Sequence, residues 1–298
     1  MIINIVTNTT NEAGLQRHAG ILKQRLEALG HTAVPVHFKD QRTWKRADLN
    51  IFVEVIERKL FQNASMNWFI PMPEWFFVHH WKDDVRHMNK VLVHTKHAHT
   101  LMAPFTRSKF LGFESEDMYD ETIPRKRVFL HCAGKSRNKN TDVILDAWDK
   151  HKLPYKLVIV SRTQKPVRHL QDRVTFIHRA EEEVLRRLIN ECVFHLCMSK
   201  YEGWGHNLHE SLGCAGLVIS HNKPPLKEFH AEVKMPARQV GKQQIAPMFA
   251  PTPAEVAKAA HRVMNYSDEQ IVRAGLRARN AFLNEVQGFR KRLKDEFQ

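Results

Sequence analysis

Short apolar runs of strand length alternate with stretches of helical spacing along nearly the whole chain, and the rhythm halts once before starting again. Ile2–Val6 is the first buried strand, and Leu15–Leu29 carries Leu15, Ile21, Leu22, Leu26 and Leu29 at helical spacing, closed by Gly30. Strands follow at Ala33–Val36, Ile51–Val55, Trp68–Ile70, Val91–His94 and Phe110–Gly112. Phe113–Pro124 is acidic, poor in strand formers and closed by proline, and reads as a linker. The alternation resumes with strand Val128–Cys132, helix Thr141–Lys150, and strands Leu157–Val160 and Val174–Ile177. Helix Glu181–Cys192, strand Val193–Met198, helix Asn207–Cys214 and strand Leu217–Ser220 complete it. Thr252-Pro-Ala-Glu255 and Ser267-Asp-Glu-Gln270 are capping boxes that open two more helices, the last running to the C-terminus. Such alternation predicts parallel sheets covered on both faces.

With 298 residues the chain has room for two such units. The expected division is a Rossmann-like domain over residues 1–120, a second over 121–275, and a C-terminal helix over 276–298 that packs back on the first. At 43% apolar and 26% charged residues, disordered, collagenous and disulfide-scaffold classes are excluded. No apolar run approaches the roughly 18 residues of a membrane span. Met1–Val6 has no basic flank leading into a long apolar stretch, so no secretory signal is expected and the expected location is the cytoplasm. Cys132, Cys192, Cys197 and Cys214 show no paired spacing and read as reduced thiols.

In open parallel sheets ligands sit beyond the carboxyl ends of the strands, so the loops after strands carry the argument. The strongest is Ser199-Lys-Tyr-Glu-Gly-Trp-Gly-His-Asn-Leu-His-Glu210, which leads from a buried strand into a helix. Gly203 and Gly205 let the backbone approach a ligand, and the helix N-terminus favours an anion. Glu202 and Glu210 fit as acceptors of sugar or ribose hydroxyls; an ordinary strand-to-helix turn with Glu210 in solvent fits the same spacing. One unit earlier, Lys135, Arg137 and Lys139 place three cations in five residues after Gly134, as a diphosphate clamp or as a solvated basic loop. Thr7–Gly14, ending in a glycine at a helix start, is a third anion-binding candidate or a plain turn.

Taken together, Ser-Lys-Tyr-Glu-Gly-Trp-Gly…Glu-Ser-Leu-Gly-Cys-Ala-Gly-Leu-Val-Ile resembles the signature of the large retaining glycosyltransferase family with the GT-B fold, family 4. Val128–Trp148 and Val174–Cys192 resemble the segments that open and continue the family's donor domain, and the first 40 residues resemble its opening strand, glycine loop and helix less specifically. The resemblance implies two Rossmann-like domains and a nucleotide-diphosphate sugar as donor, UDP-glucose or similar, with no further cofactor and no metal. It implies that Glu202 and the backbone of Gly203, Trp204 and Gly205 hold the transferred sugar and that Glu210 holds the ribose. Lys135 and Lys139 contact the diphosphate, and Arg179 lies where the nucleobase packs, with Gly14 as a further donor contact. The cation loop is one residue shorter than the family's, so Arg137 and Lys135 both remain candidates for the family's arginine. The implied reaction retains configuration: the leaving phosphate takes the acceptor's proton, and the cation clamp is the main electrostatic catalyst.

For the acceptor, Pro71-Met-Pro-Glu74-Trp75 follows a strand, and Glu74 could orient a hydroxyl; an exposed acid on a stiff loop fits as well. His79 and His80, with His97 and His99, lack further ligands at zinc spacing and read as surface or acceptor-contact residues, so Glu74, Trp75, His79 and His80 form the acceptor set. The net charge is +14, from 46 basic and 32 acidic residues. Basic residues cluster in Trp81–Phe110, at Arg125–Arg127 and at Arg290–Lys294, interleaved near the first cluster with Trp68, Trp75, Phe76, Phe77 and Trp81. Such a surface suits phosphate backbones, which makes a hydroxymethylated base in duplex DNA the expected acceptor, as in some bacteriophage systems. Transfer to lipopolysaccharide or another surface glycan at an anionic membrane is the alternative, for which Phe282–Phe297 is the amphipathic candidate. A catalytically inactive nucleic-acid-binding module is the second.

Overall fold

A computed structural model describes residues 1–10 and 14–298. Contacts divide the chain into two compact units: Met1–Glu114 with Lys242–Ala246 and Val286–Gln298, and Ser115–Gly241 with Pro247–Glu285.

In the first unit, β1 (Ile2–Thr7), α1 (Gly14–Ala28), β2 (Thr32–His37), β3 (Ala47–Val53), β4 (Ala64–Ile70), α2 (Val78–Trp81), β5 (Lys90–Val93), α3 (Lys96–Met102) and β6 (Lys109–Phe110) follow in order. The strands form one sheet, β2-β1-β3-β4-β5-β6, every pair parallel. α1 buries Leu15, Ala19, Leu22 and Leu26, one stripe at helical spacing. β3 begins four residues before the expected Ile51, because polar residues in it are buried in pairs. The register sets Asn4, Asn50 and Asn67 side by side on β1, β3 and β4. Asn4 Nδ2 donates to Asn50 Oδ1 and Asn50 Nδ2 to Asn67 Oδ1, each at 3.0 Å. Buried amides are tolerated when they satisfy one another, which hydropathy alone does not reveal.

In the second unit come β7 (Lys126–Gly134), α4 (Thr141–Lys150), β8 (Leu157–Ser161), β9 (Val174–Ile177), α5 (Glu182–Glu191), β10 (Cys192–Leu196), α6 (His206–Gly213), β11 (Leu217–His221) and β12 (Val233–Met235). Their order, β12-β11-β10-β7-β8-β9, is also wholly parallel. The chain winds outward from β7 through β8 to β9, then returns to lay β10 on the other flank of β7. The crevice between the carboxyl ends of β7 and β10 is therefore the switch point where such sheets bind ligands. Phe129 lies 4.9 Å from Phe194 and meets Trp148 edge-on at 5.2 Å, centring a core of buried Ile, Leu and Val side chains.

β13 (Arg238–Gln243) and β14 (Ala246–Ala250) pair as a two-stranded ribbon that the apolar pattern does not announce. α7 (Pro253–Met264) starts at the expected Thr252–Glu255 capping box. α8 (Asp268–Asp295) starts at Ser267, whose Oγ accepts from Gln270 N at 3.2 Å while its N–H donates to Gln270 Oε1 at 2.8 Å.

Phe113–Pro124 lacks helix and strand, and the division between the two units falls within it, as expected of the linker; its residues Phe113, Glu114, Ser115 and Met118 are nonetheless buried. Its acids are absorbed by arginines: Glu114 pairs with Arg25 and Arg290, and Asp117 takes both Arg279 Nη groups at 2.6 and 2.7 Å. The Phe282–Phe297 stretch offers no apolar face to a membrane, because Phe282, Val286, Phe289 and Leu293 are buried against the protein itself. Among the described residues no helix is long and apolar enough to cross a membrane.

Candidate functional site

At the switch point of the second unit, two loops are tied together by their own backbone. Lys200 N donates to Asn138 O at 2.8 Å, and Phe249 N donates to Lys200 O at 2.9 Å. Asn140, in the left-handed region at φ 55°, precedes α4 and donates from Nδ2 to Met198 O at 2.6 Å and Phe249 O at 3.1 Å. His221 Nε2 bonds Ser199 O at 2.8 Å from the neighbouring strand β11. These anchors fix the basic loop after β7 against the glycine loop after β10.

His131 braces the same crevice from below. Its Nδ1 lies 2.8 Å from Leu196 O and its Nε2 2.9 Å from Thr141 Oγ1, so one ring ties β7 to β10 and to the first residue of α4. Burial pushes its pKa down to about 4, which keeps the ring neutral at neutral pH. Neither Asn140 nor His131 is marked in the sequence by a motif, because each is a lone polar residue whose partners belong to other elements of the chain.

On this frame Lys139 forms an ion pair with Glu202, and Glu202 also accepts from Ser199 Oγ. Burial alone would lower the Lys139 ammonium, but the Glu202 carboxylate outweighs it and holds the group above the ordinary lysine range. Gly205 adopts φ 88° immediately before α6, a conformation suited to glycine, and a Cβ there would lie 3.5 Å from Glu202 Cγ. Both α4 and α6 begin without a side-chain cap, so their first N–H groups are open to an anion. Glu210 is buried in the second turn of α6, not in solvent.

Other expected residues are placed differently. Lys135 and Arg137 are exposed on the basic loop, while Arg179 stands beyond β9 at the sheet edge, 3.7 Å from Glu181. Gly203 is buried, and Trp204 turns inward. The Trp204 ring stacks on His209 at 3.8 Å, and its Nε1 donates to Ser115 Oγ at 3.1 Å, so it shapes the loop through packing. In the first unit Gly14 is the exposed first residue of α1; part of its loop, residues 11–13, lies outside the described residues. Glu74 is half-buried in the turn Pro73–Trp75, and Trp75, Phe77, His79 and His80 are exposed on or beside α2. Among the described residues no cluster of three or more His, Cys, Asp or Glu is arranged to hold a metal.

The basic clusters divide into structural and exposed members. Arg127 donates to Met264 O, Tyr266 O and Asp268, Arg125 to Ala215 O, and Arg292 to Leu111 O. Lys90 and Lys109 both pair with Glu296. Lys82, Arg86, Lys96 and Arg107 remain exposed.

Residues 114–238 match the family model of the glycosyl transferases group 1. No curated protein matches the chain. Among solved structures, sucrose-phosphate synthase from Thermosynechococcus elongatus is similar over 100% of this chain and 98% of its own, with TM-score 0.75 at 11% identity. The Anabaena protein HepE, solved with UDP and glucose, covers the same shares with TM-score 0.67 at 15% identity. An E. coli trehalose-6-phosphate protein bound with UDP-2-fluoro glucose covers 99% and 98%, with TM-score 0.68 at 9% identity. At these identities the likeness establishes the fold, which is GT-B. Residues 114–238 are thus similar to the group 1 glycosyl transferases, and glycosyltransferase is the enzyme class that this similarity supports.

Proposed function

We propose that the chain is a retaining, family 4-like enzyme that moves a sugar from a nucleotide-diphosphate sugar, UDP-glucose or a similar hexose donor, to the hydroxyl of a hydroxymethylated base in duplex DNA. The observation that carries the donor reading is the Lys139–Glu202 pair between two uncapped helix starts at the switch point of β7 and β10. Lys139, with Lys135 and Arg137, neutralises the charge that grows on the departing diphosphate, and the first N–H groups of α4 and α6 add fixed positive ends. Glu202 and the backbone of Gly203–Gly205 accept and orient sugar hydroxyls. Glu210 takes the ribose diol, and Arg179 borders the base. Bond making to the acceptor oxygen and bond breaking to the diphosphate occur on one face of the sugar, and the diphosphate oxygen receives the acceptor's proton.

The DNA acceptor is supported by the +14 charge, by exposed Lys82, Arg86, Lys96 and Arg107, and by Trp75 and Phe77 exposed in the same stretch of chain. Glu74, Trp75, His79 and His80 form the acceptor contacts. The surface-glycan acceptor loses support with the burial of the Phe282–Phe297 apolar face.

The test is incubation with a panel of nucleotide sugars and a duplex containing 5-hydroxymethylated pyrimidines, then mass analysis of the digested nucleosides and assignment of the product anomer. A hexose mass shift with the donor's anomeric configuration is expected. Transfer to a lipid-linked glycan with no shift in DNA overturns the acceptor, and release of no nucleotide diphosphate from any donor overturns the enzyme. Glu210→Ala is expected to weaken UDP binding by roughly tenfold or more, about the cost of one charge-assisted hydrogen bond, measurable by calorimetry.

A further inference from the structure

The first unit has a switch point of its own. Its chain lays β2 on one flank of β1 and β3 on the other, so a crevice opens between the carboxyl ends of β1 and β3. Glu54 is the first residue beyond β3 at that crevice. Its φ of 68° lies in the left-handed region, uncommon for a residue with a side chain. Buried Val53 and buried Val55 and Ile56 hold it from both sides, and its N–H donates to Ile70 O at 3.0 Å. The register of Val53 opposite Ile70 sets it beside Pro71, the start of the loop that carries Glu74.

Among the described residues the Glu54 carboxyl has no hydrogen-bond or ion-pair partner. Burial raises its pKa to about 7, and no charge of its own loop, including Glu57 and Arg58, nor Glu74 after β4, contributes to that shift. A strained, desolvated acid at a strand end is costly to keep, and such strain collects at sites of use. Its chemistry selects the ligand. A carboxyl with no cation beside it repels phosphate and carboxylate, whereas it can donate to or accept from a hydroxyl, which itself does both.

We propose that Glu54 is a further acceptor-binding residue of the first unit, beside the Glu74 set, and hydrogen-bonds the neutral hydroxyl that receives the sugar. This rests on the glycosyltransferase reading above and adds to it a residue that no motif in the sequence marks.

The experiment measures transfer from UDP-glucose to a duplex carrying 5-hydroxymethylcytosine and, beside it, to a lipid A-core oligosaccharide. The wild-type chain, Glu54→Gln and Glu54→Gly are compared. With whichever probe the wild-type chain uses, Glu54→Gln is expected to raise the acceptor KM by about tenfold or more and to flatten the pH profile of kcat/KM around neutrality. The dissociation constant for UDP and the acceptor-free hydrolysis of UDP-glucose stay unchanged. Glu54→Gly is expected to raise Tm while losing acceptor use, because glycine accepts the backbone and removes the desolvated acid. A wild-type acceptor KM and pH profile in Glu54→Gln overturn the assignment, as does a Tm drop in Glu54→Gly with acceptor use retained. A wild-type chain that binds no UDP, or sugars neither probe, defeats the underlying reading before any substitution is made, and the role of Glu54 falls with it.

Discussion

Lys139 and Glu202, 63 residues apart in sequence, meet with less than a fifth of either side chain exposed. Removing one partner leaves the other charge in a poorly solvated place, whereas removing both leaves none. Lys139→Met alone is therefore expected to destabilise the protein by about 3 kcal/mol, and Lys139→Met with Glu202→Leu by much less. Turnover should fall by roughly a hundredfold in Lys139→Met and stay low in the double variant, since the diphosphate has lost its cation in both. Urea unfolding of the four proteins, beside single-turnover rates with UDP-glucose, separates the stability cycle from the catalytic one. A loss in the double variant equal to the sum of the two single losses would show that the pair is not coupled.

His131 and His195 are buried, and burial pushes them down to about 4 and about 3 from an ordinary value of 6.5. Below about pH 6.5 the unfolded chain binds protons at these rings that the native chain refuses, so native stability falls as pH drops from there toward 4. Above that window they contribute no slope. Thermal unfolding between pH 7.5 and pH 4 is expected to show a falling Tm, shallower in His131→Gln, although that variant starts from a lower value because it loses its bond to Thr141. An identical acid slope in the variant would remove His131 from the account.

Burial raises the thiols of Cys192, Cys197 and Cys214 to about 12 and pushes Cys132 up as well. The thiolate is the reactive form, so a native chain at pH 8 is expected to react very slowly with Ellman's reagent and to release all four thiols only on unfolding. Rapid labelling of one thiol in the folded protein would mark a thiolate that burial does not suppress.

The parallel sheets were legible because β8 and β11 open on plain apolar runs and β1 and β4 contain shorter ones, and α6, α7 and α8 because their starts carry a glycine turn or capping boxes. Glu202, Gly205 and Glu210 stand out through spacing, since a loop that approaches a ligand needs glycine and acids at set intervals. The asparagines at positions 4, 50 and 67 do not stand out, for their pairing exists only after three strands are in register. Asn140, His131 and Glu54 are hidden for a related reason. What distinguishes them is a backbone angle, a distant carbonyl or a lack of solvent, none of which a residue type records. The ring of Trp204 is likewise placed by something spacing does not record: His209, one turn into α6, offers the face it stacks on.

The 28-residue helix α8 ends in a segment that completes the first sheet's unit: Phe289 packs at 4.9 Å from Phe113, Phe297 at 5.0 Å from Trp68, and Glu296 holds Lys90 at 2.9 Å. Those residues lie a whole second unit downstream of β6 in the chain. A ribosome therefore releases β1 to β6 long before their closing piece exists. The sheet made early is completed late, and until that piece emerges its partly built interior is the business of chaperones.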